Sequence, residues 1–361
     1  MRISISDSMR WEQKLQDNSM KRILSVIFIA ALISCGNNSE KTDDDQQNVN
    51  QNSEGTVPTT YSNPVCHLGL PDPTIIKVDD TFYLYATEDV RNVPIMSSKN
   101  LVTWKQCGTV FTDMTRPTFV ADGGVWAPDV NKVGNLYVLY YSMSVWGGEW
   151  TCGIGTAVSE KPEGPWTDRG PLFVSKEIGV QNSIDPFYIE EDGKKYLFWG
   201  SFHGIWAIEL SDNGLSVKQG AEKRQVAGSA YEGAYIHKKD GYYYLFASTG
   251  TCCEGYDSKY TTVVGRSKNL LGPYCDRSGR DMMQNNHEVI LKGDGKAFFG
   301  PGHNSEIVTD SKGNDWILYH AFTKVTGDRY RTLMLDKVEW KNGWPQINAG
   351  HPSAVAERPS F

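Results

Sequence analysis

Four ionisable residues that lie far apart in the sequence share one setting, the start of a predicted β-strand. They are Asp72, Asp185, Glu232 and His303. Each aspartate is followed by proline, which fixes φ and removes a backbone donor, so both carboxylates are held stiffly. Carboxylates that converge in a partly dry cleft cannot all ionise at ordinary pKa values. One can then act as a general acid and another as a general base, as glycosidic bond cleavage requires.

Five copies of a β-hairpin pattern position these residues. Each copy has an ionisable residue, a short apolar strand, a turn and an aromatic-rich strand. The copies begin at Asp72, Asp129, Asp185, Glu232 and His303, which are 57, 56, 47 and 71 residues apart. This spacing suits four-stranded blades, and helical periodicity is scarce. The sequence therefore predicts an all-β fold, a five-bladed β-propeller, with a β-sandwich as the alternative.

Equivalent repeat positions in a propeller lie at the same radius and height, so the first residues of the copies are expected to share one central pocket. A single aspartate before a proline is more often a turn or cap residue, and the shared repeat position is what favours a catalytic set. Asp129 holds the same repeat position in "VWAPDV". The pattern alone does not exclude it from the site.

The amino-acid composition limits the classes of function that the chain can have. The chain has 361 residues with 12% aromatics, including 11 Trp and 18 Tyr, and its net charge is −7. An acidic chain lacks the basic surface that attracts nucleic acid, so we expect no nucleic-acid partner. Abundant aromatics suit the stacking platforms of a sugar-binding protein.

The N-terminal residues resemble an export signal. An apolar run from Ile23 to Ile33 follows a basic start at Met20, which we take as the true start, and ends just before Cys35. The run is too short to span a bilayer and resembles a bacterial lipoprotein signal. We expect residues 1–35 to be this signal region, with Cys35 lipidated as the only membrane attachment. An ordinary signal peptide with a chance cysteine is the alternative.

The polar stretch 36–63 has almost no apolar residues and is expected to be a disordered tether before a catalytic domain at 64–361. This organisation implies a lipoprotein of the bacterial cell envelope, on the outer membrane, facing either the periplasm or the outside. Six cysteines remain beside Cys35, and their pairing cannot be read from the sequence.

Several motifs, in order, resemble glycoside hydrolase family 43, most of all its endo-1,5-α-L-arabinanases. The motifs are "DPT" at Asp72, "WAPDV" at Trp126, "NSIDP" at Asn182, "FWGSF" at Phe198, "EGAYI" at Glu232, "CCEGYDSKYTTVVGRSKNLLGPY" from Cys252, "GPGHN" at Gly300 and "GWP" at Gly343. The resemblance covers about residues 63–347. It implies a five-bladed propeller and hydrolysis of α-1,5-L-arabinofuranosidic bonds in arabinan with inversion.

The resemblance also implies roles for the acids. Asp72 matches the general base, Glu232 the general acid, and Asp185 the third acid, which tunes the pKa of Glu232 and orients it. It demotes Asp129 to a structural or supporting role. His303 matches a histidine that helps hold a metal ion near the axis, usually calcium with water ligands.

Four further residues are candidate substrate contacts: Trp126, Trp146, Asn182 and Ser201. Core packing is the alternative for the tryptophans, and satisfying backbone groups at a strand end is the alternative for Asn182 and Ser201. The resemblance treats the cysteine pair at 252–253 as structural.

Two departures from the arabinanase pattern bear on the mode of action. Pro71 replaces a histidine that often precedes the first catalytic aspartate, and "STGTCCEG" differs before the cysteine pair. They leave endo and exo action open, so an exo-acting α-L-arabinofuranosidase or β-xylosidase is the alternative. A non-catalytic glycan-binding lipoprotein is a further one, which the intact acid trio disfavours. We expect a monomer that acts on arabinan or arabino-oligosaccharides.

Overall fold

The structure, a computed structural model, describes residues 58–361. Five antiparallel sheets follow one another along this part of the chain and form a five-bladed β-propeller, which confirms the predicted fold class. None of the helices within residues 58–361 has the length and apolarity that a membrane crossing requires.

The first four blades are meanders in which each strand pairs with the next. The first blade contains β3 (Thr74–Val78), β4 (Thr81–Tyr85), β5 (Pro94–Ser98) and β6 (Lys105–Thr109), and the second contains β7 (Gly124–Val133), β8 (Leu136–Ser144), β9 (Gly153–Ser159) and β10 (Thr167–Val174). The third contains β11 (Phe187–Glu191), β12 (Lys194–Trp199), β13 (Ile205–Leu210) and β14 (Arg224–Ala227). The fourth contains β15 (Glu232–Lys239), β16 (Tyr242–Thr249), β17 (Thr261–Ser267) and β18 (Glu288–Lys292).

The fifth blade closes the ring with a strand from the other end of the domain. Its strands are β19 (Phe298–Gly302), β20 (Val308–Thr309), β21 (Asp315–Thr323), β22 (Gly327–Lys341) and β2 (Cys66–Gly69). The path runs β19-β21-β22-β2, β20 pairs with β21, and β23 (Trp344–Gln346) pairs with β22. Because β2 immediately precedes the first blade, its pairing with β22 joins the last blade to the first.

All five predicted hairpins are confirmed as antiparallel strand pairs. The turns use the residues that such hairpins need. Asp192 and Gly193 both have positive φ, 51° and 75°, and so do Asp240 and Gly241, at 49° and 73°. Turns of this kind match the right-handed twist of the strands they join.

Aromatic rings fill the interfaces between neighbouring blades. Tyr140 of the second blade stacks on Tyr188 of the third, with ring centroids 5.5 Å apart. Phe187 of the third blade meets Tyr235 of the fourth edge to face, at 5.3 Å. Helical structure within residues 58–361 is limited to α1 (Ser175–Ile178) and the 3₁₀ turns Gly255–Asp257, Met282–Gln284 and Asn348–Gly350.

The ordered fold begins before residue 64, so the predicted end of the tether is wrong. The strand β1 (Thr60–Ser62) pairs with β24 (Val355–Glu357), and the buried Asn63 side chain donates to the carbonyl oxygens of Leu335 and Ser353. These contacts bind both ends of the domain together. The predicted signal region 1–35 and the tether up to residue 57 lie outside the described residues.

Candidate active site

One residue in each blade, near the start of the first strand of the hairpin, has a left-handed backbone. The five are Asp72 (φ 53°), Ala127 (φ 41°), Asp185 (φ 59°), Gly233 (φ 60°) and His303 (φ 46°). This conformation is uncommon for residues with a Cβ and costs of order 1–3 kcal/mol, and such residues cluster at functional sites. The shared dihedral, rather than the ionisable residue, therefore marks the equivalent position of each repeat.

This register corrects two of the predicted repeat positions. Asp129 lies two residues beyond Ala127, and Glu232 lies one residue before Gly233. Asp129 is therefore level with Thr74 and Phe187, on the strands, and not with Asp72. The pairing of β15 with β16 shifts register between Glu232 and Tyr235, and this bulge re-aims the glutamate.

All eight predicted site residues within the described part of the chain line one cavity of about 520 Å³. They are Asp72, Trp126, Trp146, Asn182, Asp185, Ser201, Glu232 and His303. Asp129 is not among the residues that line it. Cys35, the predicted lipidation site, lies outside the described residues. The propeller thus brings together an acid trio whose members are separated by 113 and 47 residues in the sequence.

Asp72 is held as a carboxylate by three donors, one from the first blade and two from the fifth. Its Oδ2 accepts from Thr87 Oγ1 at 2.6 Å, and its Oδ1 lies 3.1 Å from Arg331 Nη1 and 3.1 Å from His303 Nδ1. Burial opposes ionisation, but these two cationic groups hold the pKa of Asp72 well below its usual range. A group that is charged and hydrogen-bonded at neutral pH suits a general base.

The pKa of Glu232 is shifted in the opposite direction. Burial raises the pKa of Glu232, and the charge of Asp72 adds to the effect, although hydrogen bonds from Ser201 and Tyr260 oppose it. Ser201 Oγ donates to Glu232 Oε2 at 2.6 Å. A carboxyl group that retains its proton to higher pH than usual suits a general acid.

Asp185 lies beside the same two acids. Its Oδ2 accepts from the backbone N–H of Gly233 at 3.2 Å, and its own N–H donates to Ser142 Oγ at 2.8 Å. Burial, together with the charges of Glu232 and Asp72, raises the pKa of Asp185 to about 7, although His303 opposes the shift. Its contact with the residue after Glu232 fits a residue that tunes and orients the general acid.

Asp129 belongs to a buried pair outside the cavity. Its Oδ2 accepts from the N–H of Tyr188 at 2.6 Å and from Asn131 Nδ2 at 2.8 Å. Burial raises the pKa of Asp129, and the neighbouring Glu306 raises it further; burial also raises the pKa of Glu306. Glu306 accepts from Thr74 Oγ1 and from the N–H of Ile75. The two acids tie the first, second, third and fifth blades together, which is a structural role.

His303 faces Asp72, the predicted general base. Burial alone would lower the pKa of His303, but the carboxylates of Asp72, Asp185 and Glu232 raise it to about 9. The contact of Nδ1 with a carboxylate is the one that metal-binding histidines commonly make, and it leaves Nε2 for an ion. Residues 58–361 contain no group of three or more His, Cys, Asp or Glu side chains arranged to hold a metal. An ion here would therefore lack a set of three such protein ligands.

The two tryptophans differ in their surroundings. Trp146 is 82% exposed at the cavity wall, so the core-packing alternative is wrong for it. Trp126 is half-buried, and its ring lies against Gly124, where a Cβ would approach Nε1 to 2.3 Å. The side chain of Asn182 donates to the carbonyl of Ser201 at 3.2 Å, as its structural alternative proposes.

Sequence reasoning missed several residues that support the trio. Arg331 and Thr87 contact Asp72, and Tyr260 contacts Glu232. His320 is fully buried, accepts from the N–H of Asp72 at 3.1 Å and stacks on Tyr260 at 5.6 Å. Thr87 and His320 hold the position at the end of the second hairpin strand that Ser142 and Ser248 hold in other blades, and each accepts the N–H of the left-handed residue of the next blade. Arg331 and Tyr260 lie outside the hairpin pattern, which gave no signal for them.

The family assignment agrees with this geometry. Residues 61–345 match the family described as Glycosyl hydrolases family 43. The chain belongs to glycosyl hydrolase family 43. A relative from Cellvibrio japonicus strain Ueda107, named an extracellular exo-α-(1→5)-L-arabinofuranosidase, is 36% identical over 77% of this chain and 86% of its own length. A relative from Bacillus subtilis strain 168, named an extracellular endo-α-(1→5)-L-arabinanase, is 30% identical over 76% of this chain and 87% of its own.

Solved structures of this family superpose on the family 43 chain. The α-L-arabinanase of Cellvibrio cellulosa complexed with arabinohexaose has a TM-score of 0.71 and 33% identity, covering 78% of this chain and 95% of that one. An exo-1,5-α-L-arabinanase from a bovine ruminal metagenomic library has a TM-score of 0.66 and 30% identity, covering 78% of this chain and 97% of that one. The chain is therefore similar to proteins named for both modes of action.

Proposed function

We propose that this chain hydrolyses α-1,5-L-arabinofuranosidic bonds in arabinan with inversion at the anomeric carbon. The observation that carries the proposal is the cavity in which the pKa of Asp72 is held well below its usual range while the pKa of Glu232 is raised. Two carboxyl groups with opposed pKa shifts supply the base and the acid of glycoside hydrolysis. The names of the relatives support arabinan as the substrate.

The reaction follows from the residues. Asp72 accepts a proton from a water molecule, which attacks the anomeric carbon on the face opposite the leaving group. Glu232 donates its proton to the departing glycosidic oxygen, so the bond to the next sugar breaks with a neutral hydroxyl as the product. Asp185 accepts from the N–H of Gly233, the residue after Glu232, and so holds the acid in place. When Asp185 is ionised, its charge also disfavours ionisation of Glu232.

Debranched linear arabinan distinguishes the two modes of action. Chromatography of the products over time should yield a ladder of oligosaccharides that shortens progressively if the enzyme is endo-acting, which is our proposal. Free arabinose from the first minutes would instead establish exo action, the alternative that the Cellvibrio japonicus relative favours. The absence of any product from arabinan would overturn the proposal, and xylan and aryl arabinosides would then be tested.

A calcium ion at His303 is part of the proposal, with Nε2 as the protein ligand and water as the remaining ligands. Binding would have to displace the proton that the carboxylates hold on this ring. Calcium prefers oxygen ligands, so a single imidazole makes a weak site that chelation should empty. Metal analysis of the purified domain, and its thermal midpoint with calcium and with a chelator, test this: equal midpoints and no bound metal contradict it.

We also propose that the protein is a monomeric lipoprotein of the bacterial cell envelope, attached through Cys35. The signal-like residues before Cys35 support this. A Cys35→Ala variant should move from the membrane fraction to the soluble fraction and lose its lipid mass. Light scattering of the soluble domain tests the monomer, and surface proteolysis of intact cells separates outward from periplasmic orientation.

A further inference from the structure

The cavity wall contains an unusual chemical group, a disulfide between the neighbouring residues Cys252 and Cys253. Both cysteines line the same cavity as the acid trio. The other cysteines among residues 58–361 are free, so this is the only disulfide in the described part of the chain. The family resemblance implies a structural role for the pair, but a disulfide between neighbouring residues closes only a small ring and cross-links no distant segments. Its position therefore calls for another role.

The disulfide lies on the side of the predicted general acid. Glu232 begins β15 and pairs with Ser248 near the end of β16, and the chain reaches Cys252 four residues later. The loop that carries the disulfide thus continues from the strand that pairs with Glu232 and lines the same cavity. A general acid must lie next to the oxygen of the leaving group. A cavity wall on the side of Glu232 is therefore placed to meet the departing sugar.

This loop is fastened at both ends. The N–H of Glu254 donates to Ser258 Oγ at 2.8 Å, and the N–H of Lys259 donates to the carbonyl of Thr251 at 3.1 Å. Gly250 has a φ of 88°, and a Cβ there would approach the carbonyl oxygen of Lys259 to 2.4 Å. The disulfide is therefore presented on a fixed loop, and little ordering of the loop is needed when a ligand binds.

The chemistry of the group suits one face of a sugar. A disulfide has no N–H or O–H group, and its sulfur atoms are large and polarisable, so it offers an apolar surface. The C–H face of a furanose ring is apolar in the same way. Hydrophobic and polarisable walls with a few polar groups are the usual composition of small-ligand sites. Two thiols in place of the bond would be free to rotate apart, and the flat surface would be lost.

We propose that the Cys252–Cys253 disulfide is the sugar-binding wall of the leaving-group subsite, in contact with the arabinose residue that departs from Glu232. This inference rests on the proposed function. It predicts that breaking the bond weakens binding of the polymer on the leaving-group side and spares the chemistry at the acid trio.

The test compares two substrates and two ways of removing the bond. Debranched arabinan fills the leaving-group subsite, whereas α-L-arabinofuranosyl fluoride releases an ion too small to reach the wall. The proteins are the untreated domain, the same domain reduced with a phosphine, and a variant with Cys252→Ser and Cys253→Ser. Cys107→Ser is the matched control, because Cys107 is exposed on β6 and does not line the cavity.

The bond contributes to binding if its loss raises the KM for arabinan about tenfold, the effect of a small apolar contact, with kcat within about threefold. The kcat/KM for the fluoride should stay unchanged. The Cys107→Ser control should leave the kinetic constants for both substrates unchanged. An unchanged KM for arabinan, or an equal loss on both substrates, overturns the inference. The reduced wild-type domain, with its thermal midpoint measured, decides the matter if the double variant does not fold. Failure of the untreated domain to hydrolyse arabinan overturns the proposed function first, and this inference with it.

Discussion

Arg331 Nη1 lies 3.1 Å from Asp72 Oδ1, so a cation from β22 in the last blade fixes the predicted base at the start of the first. The strand β22 also pairs with β2, just before Asp72 in the chain. Closure of the ring and charge on the base therefore depend on the same strand.

Replacing Arg331 should weaken the base. Arg331→Gln removes a cation that lowers the pKa of Asp72, so that pKa rises and Asp72 takes up a proton at higher pH than before. Since the base must be charged, the acid limb of the kcat/KM profile should move to higher pH, and kcat should fall by roughly 10- to 100-fold. Arg329→Gln, an exposed neighbour on β22, is the control and should leave the profile in place. An acid limb that does not move would show that Arg331 does not tune Asp72.

Ser201 provides the corresponding test of the acid. Its hydroxyl donates to Glu232 and lowers the pKa of a group that burial raises. Ser201→Ala should raise the pKa further. Because the acid must be protonated, activity should persist to higher pH, and the alkaline limb should shift upward by up to about one pH unit. Ser216→Ala, an exposed serine outside the cavity, should change nothing. A rise in KM without a shift of the limb would mean that Ser201 contacts the sugar instead.

Trp146 should matter for binding and not for stability. It is 82% exposed, so Trp146→Ala removes little buried surface and should change the free energy of unfolding by less than about 0.5 kcal/mol. Loss of an aromatic platform should raise the KM for arabinan by roughly fivefold or more. Trp150→Ala is the matched control, because Trp150 is 50% exposed and does not line the cavity. Equal KM values for the two variants would exclude Trp146 as a subsite.

Asp129 should matter for stability. Asp129→Ala leaves the buried N–H of Tyr188 without its acceptor and should lower the free energy of unfolding by roughly 2–4 kcal/mol. Asp129→Asn keeps an acceptor oxygen and should cost less. Urea denaturation measures the free energy of unfolding of both variants. The kcat of the folded fraction should stay within a few-fold of wild type. Loss of kcat in a fully stable Asp129→Asn variant would place Asp129 in the chemistry after all.

The repeats made the fold predictable, because hairpin patterns are local and recur at blade spacing. The same repeats gathered the candidate acids, and the family resemblance singled out Asp72, Asp185 and Glu232 among them. The alignment of residues within each repeat could not be predicted, because Ala127 and Gly233 have the left-handed backbone but no ionisable side chain. The pattern therefore misaligned Asp129.

The sequence did not predict the closure of the ring or the residues that surround the acids. Arg331 and Tyr260 contact the acids from positions outside the hairpin pattern. The strand β2 pairs with β22 across more than 250 residues, and no local pattern specifies such a contact. The disulfide was left open, because six cysteines allow many pairings.

The central claim is that Glu232 is the general acid, and one substitution tests it most directly. Glu232→Gln keeps the shape of the side chain and removes its proton, so kcat on debranched arabinan should fall by at least about 10³-fold while the oligosaccharide Kd changes little. Glu149→Gln, at another glutamate of the same cavity, is the matched control and should keep kcat within a few-fold. A Glu232→Gln variant that hydrolyses arabinan at the wild-type rate would contradict the account.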